Sequence, residues 1–245
     1  MSRNYETRTF IGGQTMKFPV YLVIILALTL VPPLHADQGS SSGGGSMQQP
    51  MKRLTPEEKA VVSYNAGLKH RDKAEKYEQR AITETNEKKF AKLKKKNSKE
   101  FNRAIDDFEK AIKYYPRFYQ AHSSLGYALR KVSRYEESLA AYNESLDINP
   151  FYDQAIEYRG EAYLGLNRLE EAKEAYMELF QNDRVLADKL IAAMIAWVAA
   201  RRDDAGGLDA AVVDQFAEWV EQRNTLASYI QPMDDATRDR WAESR

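Results

Sequence analysis

Few residues in this chain have the types and spacing that catalysis uses. Cysteine is absent, which removes disulfides, thiolate metal sites and cysteine nucleophiles together. Of the three histidines, His35 falls in an N-terminal leader, leaving His70 and His122 for any site in the remainder. Two scattered histidines make neither a His-rich metal site nor a Ser-His-Asp triad. His70-Arg71-Asp72 matches the catalytic-loop triplet of phosphoryl-transfer enzymes, but Tyr77 stands where that motif has Asn, and the chain has no Gly-rich phosphate loop. Asn143-Glu144-Ser145 fits a glycosylation acceptor, yet it falls in the middle of a helical pattern and reads as chance. The 36 Asp and Glu residues include no isolated pair on an apolar background of the kind acid–base chemistry needs. The expectation is a protein with no catalytic, cofactor or metal site, and not an enzyme. Lys plus Arg also number 36, a neutral balance that argues against nucleic-acid binding.

The elements that carry these residues repeat. Pro116 and Pro150 are 34 residues apart, and their surroundings match: Phe108 and Ala111 precede one, Tyr142 and Ser145 the other, while Leu125-Gly126 and Arg159-Gly160 follow. A 34-residue period is the mark of stacked helix-turn-helix units. Gly126 and Gly160 fall where paired helices would cross most closely, Tyr142 and Tyr176 are large enough to fill the space opposite small residues, and the prolines stop one helix before the next begins. The unit 119–152 carries His122, Leu125, Gly126, Leu129, Ser138, Tyr142, Ser145 and Pro150. The unit 153–184 carries Ile156, Arg159, Gly160, Tyr163, Ala172, Tyr176 and Leu179, and has Arg184 in place of the proline.

On these residues the chain resembles the tetratricopeptide repeat family. That resemblance implies an all-α fold: a right-handed superhelix of antiparallel helix pairs over residues 55–184. The first unit, 55–118, departs from the pattern. Gly67 to Ala104 spans 37 residues where Gly126 to Ser138 spans 12, and apolar or small residues continue at helical spacing through most of the excess. Both helices of this unit are therefore expected to be longer by about three turns, meeting near Thr83–Asn86 in a two-helix arm. Thr55-Pro56-Glu57-Glu58 supplies an N-cap, a first-turn proline and a capping-box glutamate. Gaps in the arm's periodicity fall at His70 and Asn97. Its descending side carries Lys88, Lys89, Lys92, Lys94, Lys95, Lys96 and Lys99, a solvated face balanced by Glu75, Glu78 and Glu84 or a surface for an anionic partner.

Either side of the array the pattern changes. Phe18 to Val31 is an apolar run preceded by Lys17 and followed by Leu34-His35-Ala36, the layout of a signal peptide over 1–36; the alternative is an uncleaved anchor. Removing it leaves the rest two charges acidic. Residues 37–54 include a Gly/Ser-rich tether. Residues 185–245 form a C-terminal cap and tail: Leu190 to Ala200 is apolar all round, Gly206-Gly207 marks a turn, Asp209 caps a second helix, and Trp197 and Trp219 read as core. Beyond Pro232 the tail forms a short helix or frays.

What the resemblance implies about function is protein binding, in a groove lined by the first helix of each pair. The groove positions carried over are Tyr64, Leu68 and Arg71, then Gln120, Ser123, Tyr127, Arg130 and Lys131, then Gln154, Glu157 and Glu161. Arg130 and Lys131 would meet an acidic segment, Glu157 and Glu161 a basic one. Ser123 and Tyr127 stand where relatives that clamp C-terminal carboxylates have Lys and Asn, so that mode is not expected. The reading is an exported interaction module, periplasmic or secreted in a bacterium, with a protein or peptide partner and no nucleic acid; membrane contact enters only if the leader stays attached. A membrane-anchored assembly factor and an accessory subunit that docks a catalytic partner are the alternatives. N-terminal sequencing of the exported protein is expected to begin at Asp37; a start at Met1 or Met16 would favour the anchor.

Overall fold

A computed structural model describes residues 53–229, and residues 1–36, read above as a signal peptide, most of the tether and the residues beyond 229 lie outside them. The described residues hold eight helices: α1 (Pro56–Ile82), α2 (Glu87–Tyr114), α3 (Tyr119–Lys131), α4 (Tyr135–Ile148), α5 (Asp153–Gly165), α6 (Leu169–Asn182), α7 (Arg184–Asp203) and α8 (Ala210–Tyr229). No strand occurs among them, and no helix there is long and apolar enough to cross a membrane. Successive helices pack as pairs, α1 with α2, α3 with α4, α5 with α6 and α7 with α8, and each later pair lies against the one before.

Two turns recur at the 34-residue period. Ser133 and Asn167 both take the left-handed backbone conformation, with φ of 64° and 58°, and reverse the chain between the helices of a pair. Arg134 and Arg168 follow, each bridging to the glutamate three residues on, Glu137 and Glu171. Between pairs the chain turns at Pro116 and at Pro150. His122 Nε2 donates to the Pro116 carbonyl oxygen (2.8 Å), which occupies an acceptor that the proline turn leaves open. At the third boundary, where the proline is missing, Asp183 alone ends α6 and starts α7; its carboxylate accepts from the Leu186 amide (3.0 Å).

The helix pairs meet through small residues. Gly126 lies so close to the Tyr142 ring that an added Cβ would stand 2.6 Å from Cε1, and Gly67 faces Phe108 in the same way. At Gly160 the neighbour differs from the sequence reading: the crowding atoms are those of Leu190, from α7. Tyr176 instead turns toward the C-terminal pair, edge-on to Trp219 at 5.7 Å. Ser138 occupies the small position of α4 without leaving its hydroxyl idle, donating to the Gly126 carbonyl oxygen (2.8 Å).

Helices α1 and α2 run to 27 and 28 residues, against 13 and 14 in the next pair, and they turn back at Thr83–Asn86. The capping box at Thr55 is formed: its hydroxyl accepts from Glu58 N (3.1 Å) and the Glu58 carboxylate accepts from Thr55 N (2.8 Å). Ala60, Gly67, Ala74 and Ala81, seven residues apart, are the buried positions of α1. The two gaps in the apolar pattern prove to be polar clasps between the arm's helices. Asn97 Nδ2, buried, donates to the Ala74 carbonyl oxygen (3.0 Å), and His70 Nδ1 meets Glu100 Oε2 (2.7 Å). Glu100 is buried and also holds Lys73 (3.0 Å) and Arg103 (3.1 Å). Burial opposes its charge, but the hydrogen bonds from Lys73 and His70 win and hold the carboxyl below its ordinary range.

Helices α7 and α8 close the other end. Met194 and Leu190 of α7 are fully buried. Trp197 stands edge-on to Phe216 (5.2 Å), which stacks on Trp219 (6.3 Å). Gly206 and Gly207 turn the chain with φ of 59° and 83°, and Asp209 accepts from the Ala211 amide (2.9 Å) to start α8.

Gly126→Ala tests the close approach. On an exposed helix the change would stabilise by about 1 kcal/mol through helix propensity. Here the new methyl must displace the buried Tyr142 ring, an overpacking cost of about 1–3 kcal/mol. Urea unfolding is expected to show a net loss; a gain in stability would mean that the ring moves aside freely.

Candidate functional site

The first helices α1, α3 and α5 share a face lined by tyrosines. Tyr64 of α1 packs beside Phe118 (4.8 Å between ring centroids) and Phe108 (5.7 Å), and its hydroxyl oxygen accepts from Ser124 of α3 (3.4 Å). Tyr127 of α3 lies 5.1 Å from Tyr158 of α5 and 6.2 Å from Phe101. Tyr119 and Tyr152 meet edge-on at 5.0 Å at the start of α3 and α5. Burial, with Glu75 beside it, pushes the Tyr127 hydroxyl above its ordinary range. Burial, with Glu157 next, does the same for Tyr158. These rings stay neutral at any physiological pH and present an apolar body with a polar tip.

Charges sit between the rings in pairs. Arg130 lies over both Tyr127 (5.4 Å) and Tyr158 (5.6 Å), and its Nη1 is bound to Glu161 Oε2. Burial works against the Arg130 charge, but Glu161 together with Tyr142 and Tyr127 outweighs it, so the guanidinium is held more firmly protonated than usual. Lys131 bridges to Glu78 of α1 (2.7 Å). Arg71 is held by Asp72 (2.9 Å) and, more loosely, Glu75 (3.6 Å). One carboxylate lacks this compensation. Glu157 is 3 % exposed and its Oε2 has no hydrogen-bond partner. Burial, followed by the adjacent Glu161, pushes its carboxyl up to about 8, with Arg130 and Lys189 pulling the other way.

Of the eleven positions carried over from the sequence, all lie on α1, α3 or α5, and the structure brings most of them onto one face. Tyr64, Leu68, Arg71, Gln120, Tyr127 and Gln154 are half-buried there. Ser123 and Glu157 are buried instead. Arg130 and Lys131 do not stand free for an acidic segment, nor Glu161 for a basic one, because Arg130 and Glu161 satisfy each other and Lys131 reaches α1. Long side chains of opposite sign on neighbouring helices find one another first. Sequence reasoning missed Tyr158 and Tyr152. Tyr152 was accessible, since it lies one period after Phe118 in the same turn; Tyr158 was not, since Ser124 occupies its counterpart.

The shared face ends in a cavity of about 430 Å³. Its walls come from elements far apart in sequence: Glu78 of α1, Arg130 and Lys131 of α3, Tyr135 of α4, Glu161 of α5 and Trp197 of α7. Trp197 is only partly buried, so it serves this wall as well as the core, and its Nε1 donates to the Leu164 carbonyl oxygen (2.8 Å). A carboxyl that holds its proton more tightly folded than unfolded stabilises the fold at low pH, and that contribution disappears as pH rises through the folded-state value. Glu157→Gln is therefore expected to flatten the fall in stability between about pH 4.5 and about 8 and to unfold at higher denaturant than the parent above pH 8. Chemical denaturation at several pH values checks this; a variant weaker than the parent at high pH would show that the charge is well accommodated.

Comparison with known proteins gives this arrangement a context. Residues 89–153 and 159–185 match the tetratricopeptide repeat family. A stretch of 47 residues is 43 % identical to the small glutamine-rich tetratricopeptide repeat-containing protein 2 of Mycosarcoma maydis, covering 19 % of this chain and 13 % of that protein. Solved structures aligned with the chain include the complex of the yeast Sti1 TPR2B domain with an Hsp70 peptide (15 % identity, 67 % of this chain and 98 % of that one, TM-score 0.35). Others are the first such domain of Spaghetti (RPAP3) bound to the HSP90 peptide SRMEEVD (21 %, 54 % and 94 %, TM-score 0.38) and the MamA protein (20 %, 71 % and 97 %, TM-score 0.37). Family match and 34-residue turns agree: within the described helices, residues 89–153 and 159–185 are similar to tetratricopeptide repeats.

Proposed function

We propose that the tyrosine-lined face of α1, α3 and α5 binds an extended peptide or a helix of a partner protein, and that the protein acts as an adaptor or assembly factor in a bacterial cell envelope. The observation that carries the binding reading is the row Tyr64, Tyr127 and Tyr158 on three successive first helices. Aromatic residues of this kind offer large contact area with few rotamers to freeze, plus a hydroxyl for a backbone amide or carbonyl. Because Arg71, Arg130, Lys131 and Glu161 are already paired, recognition rests on ring contacts and on Gln120 and Gln154 at the margin, not on a charge-reversed partner. The envelope location rests on the signal-like leader over 1–36. The reading does not rest on the carboxylate clamp of some relatives: at the positions where those have Lys and Asn, Ser123 is buried and Tyr127 is turned to Glu75 and Tyr158.

The test is capture of one stoichiometric partner from envelope extract, followed by direct titration. Tyr127→Ala removes the central ring but also a core contact with Phe101. Gln120→Lys together with Gln154→Lys keeps the core intact and charges the rim. Both are expected to weaken the same partner by about tenfold or more, the scale of one lost aromatic or rim contact of ~1.4 kcal/mol. Retention of full affinity by both variants would remove this face from the reading.

A further inference from the structure

The arm is electrically unlike the rest of the chain. Residues 69–99 hold twelve Lys or Arg against five Asp or Glu, whereas residues 135–182 hold three against eleven. The seven lysines from Lys88 to Lys99 are all exposed, and among the described residues none of them reaches a carboxylate. The acids expected to balance them are engaged elsewhere: Glu78 with Lys131, Glu75 with Arg71 and Tyr127, and Glu84 with the Asn86 amide. Lys96 alone has an aromatic contact, over Tyr77 at 5.4 Å. Lys88, Lys92, Lys95 and Lys99 follow one another at helical spacings of four, three and four, which draws a line about 17 Å long on the outer side of α2.

The tip of the arm adds an apolar element. Ile82, the last residue of α1, is 71 % exposed, and Phe90, in the first turn of α2, is 43 % exposed. Arg80, Lys88 and Lys89 lie beside them in sequence, with Glu84 and Glu87 between. Phe90 falls on the α1 side of α2, in line with Leu93 and Phe101, so Ile82 is the apolar side chain turned to solvent. An isoleucine so exposed is a poor solvated surface. It is a good match to a layer that is anionic outside and apolar a few ångströms in. The seven cations between Lys88 and Lys99 are all lysines, whose point charges suit a diffuse field of headgroups better than the planar carboxylate of one partner side chain. The acidic α4–α6 segment would be repelled by the same field, so the arm would lead.

We propose that the outer face of the arm docks on an anionic lipid bilayer, with Lys88, Lys92, Lys95 and Lys99 along the headgroups and Ile82 entering at the tip. This surface is separate from the tyrosine-lined face, which stays open to a protein partner while the arm is engaged.

The test is flotation of the full chain with phosphatidylcholine vesicles, with and without phosphatidylglycerol at about one third of the lipid. Binding to neutral vesicles is subtracted, so the quantity that matters is the increment due to phosphatidylglycerol. Each lysine near such a surface multiplies affinity roughly fivefold. Changing Lys88, Lys92, Lys95 and Lys99 to Gln, all at exposed positions, is therefore expected to remove the increment by well over tenfold and leave the circular dichroism unchanged. Raised salt should do the same. An Ile82→Trp probe is expected to gain blue-shifted emission, quenched by brominated lipid, only with the anionic vesicles. No increment in the parent, or an undiminished one in the four-Gln variant, overturns the proposal. So does a four-Gln variant whose self-association changes while vesicle binding does not, because the lysines would then face an acidic protein surface such as that of α4 and α6 in a second copy.

Discussion

The described fold depends on how closely two helices of a pair can approach. At Gly67 and Gly126 the backbone of a first helix lies against the flat ring of Phe108 or Tyr142 on its partner, and no room is left for a single methyl group. That contact sets the separation of each pair, and the separation in turn decides which residues lie on the free side of the first helices. Ser138 and Ser145 can then reach back to the Gly126 and Tyr119 carbonyl oxygens at 2.8 and 2.9 Å. Widen the seam and these hydroxyls lose their acceptors inside the protein, where a missing partner costs ~1–3 kcal/mol each. The tyrosine-lined face is the outer consequence of that inner packing.

Much of this was legible from residue types alone. The 34-residue spacing, the small residues at the crossings and the stopping prolines are backbone constraints, and such constraints show directly in sequence. The long first pair was legible for the same reason: apolar positions at Leu93, Phe101, Ala104 and Phe108 keep helical spacing through what a loop would have scrambled. Even its two irregularities carried information, since His70 and Asn97 turned out to join the arm's helices instead of interrupting them. The missing proline at Arg184 was less informative than it looked. Asp183 supplies a cap in place of a turn, and chain reversal is achieved without the residue that usually announces it.

The site was harder to foresee because its properties belong to pairs of side chains on different helices. Arg130 reads as a free cation in sequence and is bound to Glu161, thirty-one residues away. Glu157 reads as a groove acid for a basic segment and is buried, with its carboxyl pushed up to about 8. The lysines of the arm read as balanced by Glu75 and Glu78, yet α3 draws both carboxylates toward itself, leaving the arm more cationic than its composition alone implies. Which charge meets which is fixed by helix position to within one side-chain length. That information is absent from periodicity.

The core of the described residues divides at α4. One cluster joins α1, α2, α3 and Ala141; the other runs from Leu139 through α5, α6 and α7 to Val220 of α8. Synthesis from the N-terminus completes these at different times. The first cluster can close once α4 has left the ribosome. The second cannot, because Leu190, Met194 and Phe216 are the walls against which Gly160, Tyr176 and the later helices settle. Until α7 and α8 emerge, α5 and α6 carry Tyr176 and Leu179 uncovered. The nascent chain therefore passes through a stage in which its finished half is soluble and its unfinished half is adhesive, and the cell must keep that half from other surfaces until α8 arrives.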